Sequence, residues 1–313
     1  MNNTIEINNL SKSYGKLVAL DDISLSIKSG ELFGLLGPDG AGKTTLFKIL
    51  STLMVPDKGS ASMCGLDVVK DYRQIRLRIG YMPEKFSLYQ DMTVMENLRF
   101  YASLFGVSIK ENFDLIAPIF GQLEKFPNRF AGNLSGGMKQ KLALSCALIH
   151  RPDILLLDEP TTGVDAVSRD EFWQMLGGLK EKGITILVST SYMDEATRCE
   201  RLAMINSGHI LKIGTPTELV AGLDENLYNA VAKDMFKLLT ALQKMPEVLN
   251  CYTFGATLHV VGSNDFNADK VTAQLVSEGI PEAKIFPAKG NIEDLLIKLM
   301  ENNDNESGYD IHI

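Results

Sequence analysis

The stretch Gly37-Pro38-Asp39-Gly40-Ala41-Gly42-Lys43-Thr44-Thr45 carries the clearest chemistry in this chain. Gly37, Gly40 and Gly42 let the backbone turn tightly and aim successive N–H groups at an anion. A helix opening at Gly42 adds the positive end of its dipole. Lys43 can then reach the β- and γ-phosphates of a nucleoside triphosphate, Thr44 can offer its hydroxyl to Mg²⁺, and Thr45 can support the α-phosphate. A Gly-rich turn before a core helix would use the same glycines, but the strand–loop–helix context favours the nucleotide.

Three further stretches hold candidate groups. Ile154-Leu155-Leu156-Leu157 runs into Asp158-Glu159-Pro160, which puts two carboxylates at the carboxyl end of a buried strand, where α/β folds place ligands. Leu134-Ser135-Gly136-Gly137-Met138-Lys139-Gln140 places Ser135 at a helix N-cap, and Gly136-Gly137 leaves the first turn open to close approach. As structure alone, it is a good cap. Tyr14, in the turn-like cluster Ser11-Lys12-Ser13-Tyr14-Gly15, can stack on an adenine ring or simply pack at a strand end.

The elements that must hold these groups can be read in order. Leu32-Phe33-Gly34-Leu35-Leu36 is the apolar run of a fully buried parallel strand. Ile5 and Ile7, and then Ile23, Leu25 and Ile27, alternate with polar residues as half-buried antiparallel strands do. The phosphate-loop helix is expected to reach about residue 54, with Val55-Pro56-Asp57-Lys58-Gly59 as its stop. A strand is expected at 79–82, ended by Pro83-Glu84. Thr93 and Glu96 have capping-box spacing, and 93–133 reads as a separate helical lobe punctuated by Pro118 and Pro127.

Helices are expected at 141–150 and 167–182, a strand at 184–188 ending in Ser189-Thr190-Ser191, and a hairpin at 201–213. From about residue 224 the pattern suggests a small α+β unit. Its helices fall at 235–244 and 269–278, its strands at 248–254, 258–261 and 283–286, and a final helix starts near Asn291. The polar end, from 302, reads as disordered. No catalytic constellation is evident after residue 213.

Composition bounds the function. The 313 residues suggest about two domains, and 45% hydrophobic with 22% charged residues is globular. A formal net charge of −8 argues against non-specific nucleic-acid binding. Cys64, Cys146, Cys199 and Cys251 are far apart and read as reduced thiols. No run approaches the roughly 20 apolar residues that cross a bilayer, and the N-terminal stretch lacks a signal peptide's apolar centre. The expectation is a protein soluble on its own and docked at a membrane only through a partner.

Together these segments resemble the ATP-binding-cassette (ABC) ATPases over roughly residues 4–220. GPDGAGKTT looks like Walker A, LSGGMKQ like the ABC signature, ILLLDEP like Walker B and GVDA like the D-loop. GYMPEKFSLYQDMTVMENLRFYASLFG, STSYMDEATRCERLAMINSGHILKIGTP and NIEDLLIKL look like ATPase subunits of ABC-2-type exporters. The resemblance implies an α/β P-loop NTPase core with antiparallel β and α-helical subdomains. It places the ATPase domain at 1–223, the helical subdomain at about 84–150, an α+β accessory domain at 224–302 and a disordered tail at 303–313.

The resemblance also implies roles. Two subunits would sandwich two ATP molecules, each held by one subunit's Walker A and the other's Ser135, Gly136 and Gly137. Asp158 and Thr44 would hold Mg²⁺, Glu159 would deprotonate the attacking water, Asp165 would lie at the dimer interface, and Tyr14 would meet the adenine. Two positions depart from the pattern: Glu84 stands for the Q-loop Gln and Ser191 for the switch His. Glu84 can still ligate Mg²⁺, but Ser191 bridges poorly to a γ-phosphate, and losing one such donor costs about 10²–10³ in rate.

Ser at 191 resembles the first half of tandem exporter ATPases, which implies a slow site and an unlike ATPase partner, with a homodimer as the alternative. A separately encoded permease would be the membrane partner, placing the chain on the cytoplasmic face of the membrane. The competing readings are a soluble non-transport ABC ATPase and a non-hydrolysing nucleotide switch.

Overall fold

A computed structural model describes residues 3–221, 223 and 226–307. The chain divides into two compact units, Met1–Pro216 and Thr217–Ile313. The division falls before the expected boundary at 223.

The first unit is built on ten strands: β1 (Asn3–Tyr14), β2 (Leu17–Lys28), β3 (Leu32–Leu36), β4 (Lys58–Met63), β5 (Leu66–Asp67), β6 (Ile79–Met82), β7 (Ile154–Asp158), β8 (Thr185–Thr190), β9 (Arg201–Asn206) and β10 (His209–Gly214). One sheet, of order β2-β1-β4-β5, is antiparallel, and its buried residues recur with the period of two read from Ile5, Ile7, Ile23, Leu25 and Ile27. The second, of order β10-β9-β3-β8-β7-β6, is parallel except for the β9–β10 hairpin. Strands β3 and β7 are buried at every residue, as a sheet covered on both faces requires.

The phosphate-loop helix, Lys43–Leu50, lies between the two sheets, where Leu46, Phe47, Ile49 and Leu50 join Ile5, Ile23 and Leu35 in one core. On the other face of the parallel sheet, helices Val94–Leu104, Ile109–Phe120 and Gly136–Leu148 pack with Leu155, Leu157 and Val188. The Thr93–Glu96 capping box forms as expected.

The structure corrects several local expectations. Strand β1 continues through the Ser11–Tyr14 cluster, so the turn falls at Gly15. The polar strand KGSASM (β4) has few β-branched or aromatic residues, and its pairing with β1 overrides that weak propensity. Pro118 lies inside a helix rather than between helices. The signature helix starts at Gly136, five residues before the expected 141, because Ser135 caps it.

The second unit has strands β11 (Leu227–Val231), β12 (Val248–Phe254), β13 (Thr257–Gly262) and β14 (Lys284–Pro287) in one antiparallel sheet of order β12-β13-β11-β14. With helices Met235–Leu242 and Ala268–Ser277 the chain order is βαββαβ. Both helices contribute to one core with Leu258 and Val260. Strand β11, which is not among the expected elements, pairs with both β13 and β14. The helix Ile292–Ser307 carries regular structure into the expected disordered tail, and 308–313 lie outside the described residues.

His150 joins the helical lobe to the parallel sheet. Its ring stacks on Phe105 at 3.7 Å between centroids, and its Nε2 donates to the Ile79 carbonyl oxygen at 2.9 Å. Nδ1 is buried without a hydrogen-bond partner, and burial pushes the imidazole below its ordinary value of 6.5. Charging the ring would add a second buried donor with no acceptor. The unfolded chain therefore takes up a proton that the folded chain refuses, and stability should fall as pH drops below about 6.5. His150→Gln should flatten that dependence, measured as the urea midpoint at about pH 7.5 and about pH 5.5.

Candidate nucleotide-binding site

Strand register sets the site. In the parallel ladder Leu36 pairs with Thr190, and Asp158 pairs with Ser189. The carboxyl ends of β3, β7 and β8 thus finish side by side, and the phosphate loop, Glu159 and Ser191 follow them directly. The loop is tied down at both ends: Gly37 N–H donates to the Thr190 carbonyl oxygen at 3.3 Å, and Gly208 N–H donates to that of Ala41 at 3.0 Å.

The three loop glycines serve different ends. A Cβ on Gly37 would lie 2.2 Å from the Ile205 carbonyl oxygen, and one on Gly42 would lie 2.4 Å from that of Ala19. Gly40 has open space around it but a φ of +79°, and Gly42 a φ of +106°. Of the three glycines read as turn formers, Gly37 is therefore present for close packing and not for a left-handed backbone.

A cavity of about 500 Å³ opens over the loop. Tyr14, Asp39, Gly40, Gly42, Lys43, Thr44, Thr45, Glu84, Glu159 and Ser191 line it, so the structure brings these expected residues together. Pro38 and Ala41 complete the loop backbone, joined by a turn bond from Ala41 N–H to the Pro38 carbonyl oxygen at 3.3 Å. Tyr14 sits at the rim with 44% of its surface exposed, and its hydroxyl lies 3.5 Å from Thr45 Oγ1. A half-exposed ring beside an open cavity is suited to stacking on a flat base.

Charge is concentrated at the cavity floor. Lys43 Nζ donates to the carbonyl oxygens of Gly37 and Pro38 at 2.6 and 2.9 Å and lies 3.0 Å from Glu159 Oε1. Glu159 has a φ of +50°, a left-handed conformation that a non-glycine residue adopts at a cost of about 1–2 kcal/mol. Its other carboxylate oxygen receives Thr162 Oγ1 at 3.2 Å and Ser191 Oγ at 3.5 Å. Asp158 is fully buried, and burial raises its carboxyl above the ordinary range against the lowering contacts of Ser189 and Thr44.

Asp158 Oδ2 is buried with no hydrogen-bond partner among the described residues, and the Thr44 hydroxyl contacts the same carboxyl group. A spare carboxylate oxygen next to a hydroxyl suits a hard divalent cation such as Mg²⁺, which takes one or two protein oxygens and the rest from phosphates and water. These residues fit the ion.

The signature residues stand apart from this cavity. Ser135 and Gly136 are exposed, and Ser135 Oγ caps its helix by accepting from Met138 N–H at 3.4 Å. A Cβ on Gly137 would come within 2.6 Å of Ser168 Oγ, so the close approach read from the glycine pair is made by the chain's own next helix, Ala166–Glu181. Asp165 caps that helix, accepting from Ser168 N–H at 3.0 Å, a bond that holds its exposed carboxyl below the usual range.

Sequence reading missed two buried residues at this site. Ser189 Oγ bridges the two Walker B residues. Glu195, fully buried, accepts from Thr161 Oγ1 at 2.5 Å and from Thr190 Oγ1 at 2.6 Å, tying the loop after β7 to the end of β8. A Glu on the inner side of the short helix after β8 was the available signal.

A P-loop after the buried strand β3, with two carboxylates at the end of β7 one strand beyond β8, defines a P-loop nucleotide-binding core. Residues 20–162 match the ABC transporter family. Over 303 residues the chain is 40% identical to the probable multidrug ABC transporter ATP-binding protein YbhF of Escherichia coli, covering 95% of this chain and 52% of that protein. The chain thus spans about half the length of that relative. It is 37% identical over 306 residues to the Nod factor export ATP-binding protein I of Burkholderia orbicola, covering 94% of this chain and 96% of that one. Among solved structures, the MJ0796 cassette dimer in a post-hydrolysis state bound to ADP and Pi superimposes with a TM-score of 0.61 at 27% identity, covering 67% of this chain and 98% of that one. The chain belongs to the ABC transporter family.

Gly37→Ala should abolish nucleotide binding and destabilise the fold by about 1–3 kcal/mol through overpacking. Gly40→Ala, with room for its methyl, should cost only about 1 kcal/mol of backbone strain. Thermal unfolding and fluorescent-nucleotide titration of the two variants check this order.

Proposed function

We propose that this chain is the ATP-hydrolysing motor of an ABC-2-type export system, driving a separately encoded integral-membrane permease from the cytoplasmic face of the membrane. The carrying observation is that the cavity gathers Walker A, Glu159 and Tyr14, while Ser135 and Gly136 lie exposed and outside it. A second ATPase subunit would bring its own signature over this cavity, and Ser135–Gly137 would complete the partner's. The export names of the relatives support the direction of transport, and no described helix is long and apolar enough to cross a membrane.

In this reading the phosphate loop N–H groups and Lys43 bind the phosphates, and Tyr14 packs on the adenine. Thr44 and Asp158, with Glu84 at the cavity edge, would hold Mg²⁺, which when bound neutralises the β- and γ-phosphate oxygens. Glu159, oriented by Lys43, Thr162 and Ser191, takes the proton of the attacking water. Asp165 lies on the exposed loop beside the signature, as a residue that reads the partner subunit would. Ser191 Oγ reaches Glu159 but carries no cation, and the exposed Glu84 adds negative charge, so the chain's own site turns over slowly and an unlike partner supplies the faster site.

Glu159→Gln should keep ATP binding, cut hydrolysis by about 10²–10⁴ and shift the protein to a dimer with ATP on a sizing column. Ser191→His should raise turnover of the chain's own site by up to about 10². Brisk ATPase activity of the chain alone, unchanged by Ser191→Ala, would overturn the slow-site reading.

A further inference from the structure

We infer that Ser189 is a positioning residue that aims the Asp158 carboxylate, and the peptide leading into Glu159, for a divalent cation bound with the nucleotide. The inference rests on the reading of Asp158 as a cation ligand and adds to it a residue outside the family motifs.

Asp158 and Ser189 are the last register pair of β7 and β8, so the next N–H along, that of Glu159, has left the ladder. A buried N–H needs an acceptor. Ser189 Oγ supplies it, accepting from Glu159 N–H at 2.9 Å. A hydroxyl has one proton and two lone pairs, so the proton of Ser189 remains available. It is donated to Asp158 Oδ1 at 2.7 Å. One side chain, buried with no exposed surface, thus accepts from one and donates to the other of two consecutive residues of the site.

The two oxygens of Asp158 are thereby made unequal. Oδ1 is committed to Ser189, and Oδ2 is buried with no hydrogen-bond partner among the described residues. A carboxylate held by one oxygen cannot rotate freely about its last torsion, so the spare oxygen keeps one direction. The same hydroxyl holds the peptide before Glu159, whose φ of +50° sends its carboxylate toward Lys43 and Ser191. A ligand orientation and a base orientation therefore depend on one oxygen atom. Alanine at 189 would release both; threonine keeps the hydroxyl on a strand that tolerates β-branching.

Mn²⁺ serves as the probe, titrated by electron paramagnetic resonance into the full chain with a non-hydrolysable ATP analogue. Ser189→Ala should weaken Mn²⁺ binding by about 10–100-fold, the usual effect of removing a partner that orients a metal ligand. Its affinity for the analogue in EDTA should stay unchanged, and Ser189→Thr should recover most of the Mn²⁺ affinity. Loss of metal-free nucleotide affinity in the same proportion would mean that Ser189 only supports the fold, and would overturn the inference. So would wild-type Mn²⁺ affinity in Ser189→Ala while Asp158→Asn loses it, or no recovery in Ser189→Thr. Undiminished Mn²⁺ binding in Asp158→Asn would instead remove the reading of Asp158 on which the inference stands.

Discussion

The register of the β3–β8–β7 ladder is the constraint on which the rest of this structure depends. Because Leu36, Thr190 and Asp158 end their strands within one residue of one another, three loops that are distant in sequence leave the sheet together. Slipping one strand by a single residue would turn its side chains to the other face and scatter the site. That register is specified by burial: β3, β7 and β8 are covered on both faces, with two separate cores packed against them. The antiparallel sheet and the helical lobe therefore support the site even where they do not touch it.

The site is costly for the fold. A carboxylate without exposed surface, a left-handed glutamate and a buried lysine coordinated by loop carbonyls all sit within one small volume. Each lowers stability relative to an apolar or relaxed alternative, and such conflicts concentrate where function requires them. Polar side chains from neighbouring loops limit the cost. Ser189, Thr162 and Ser191 hold the two Walker B carboxylates, and Glu195 joins Thr161 to Thr190 one layer behind. The stretch Ser189-Thr190-Ser191 is thus part of the site along its whole length, with alternate residues serving alternate layers.

The second unit follows a simpler logic. Its βαββαβ order places both helices on one face of the sheet, which alternates Leu258 and Val260 inward to meet them. The opposite side is tied to the helix Ile292–Ser307 through Asp294, which accepts from Tyr252 Oη at 2.6 Å and lies 2.6 Å from His259 Nδ1. A buried, fully partnered carboxylate fixes that helix more specifically than apolar contact would.

What the sequence determined by itself was the local chemistry. Walker A, the DEP strand end, the Ser135 cap and the Thr93 capping box are contiguous patterns whose backbone needs are met within a few residues, so they were legible without the fold. Three things were decided only by tertiary structure. Strand β4 carries weak propensity, and both it and the short β11 lie between two partner strands that satisfy their backbone. Gly37 is required by the Ile205 carbonyl, a contact between residues 168 positions apart. Ser189 gains its role only when β8 is paired with β7, because a serine at a strand end looks the same whether it faces solvent or bridges two carboxylate-bearing residues. Short-range hydrogen bonding is written in neighbouring residues; steric approach and long-range polar bridges become visible only once the strands are in register.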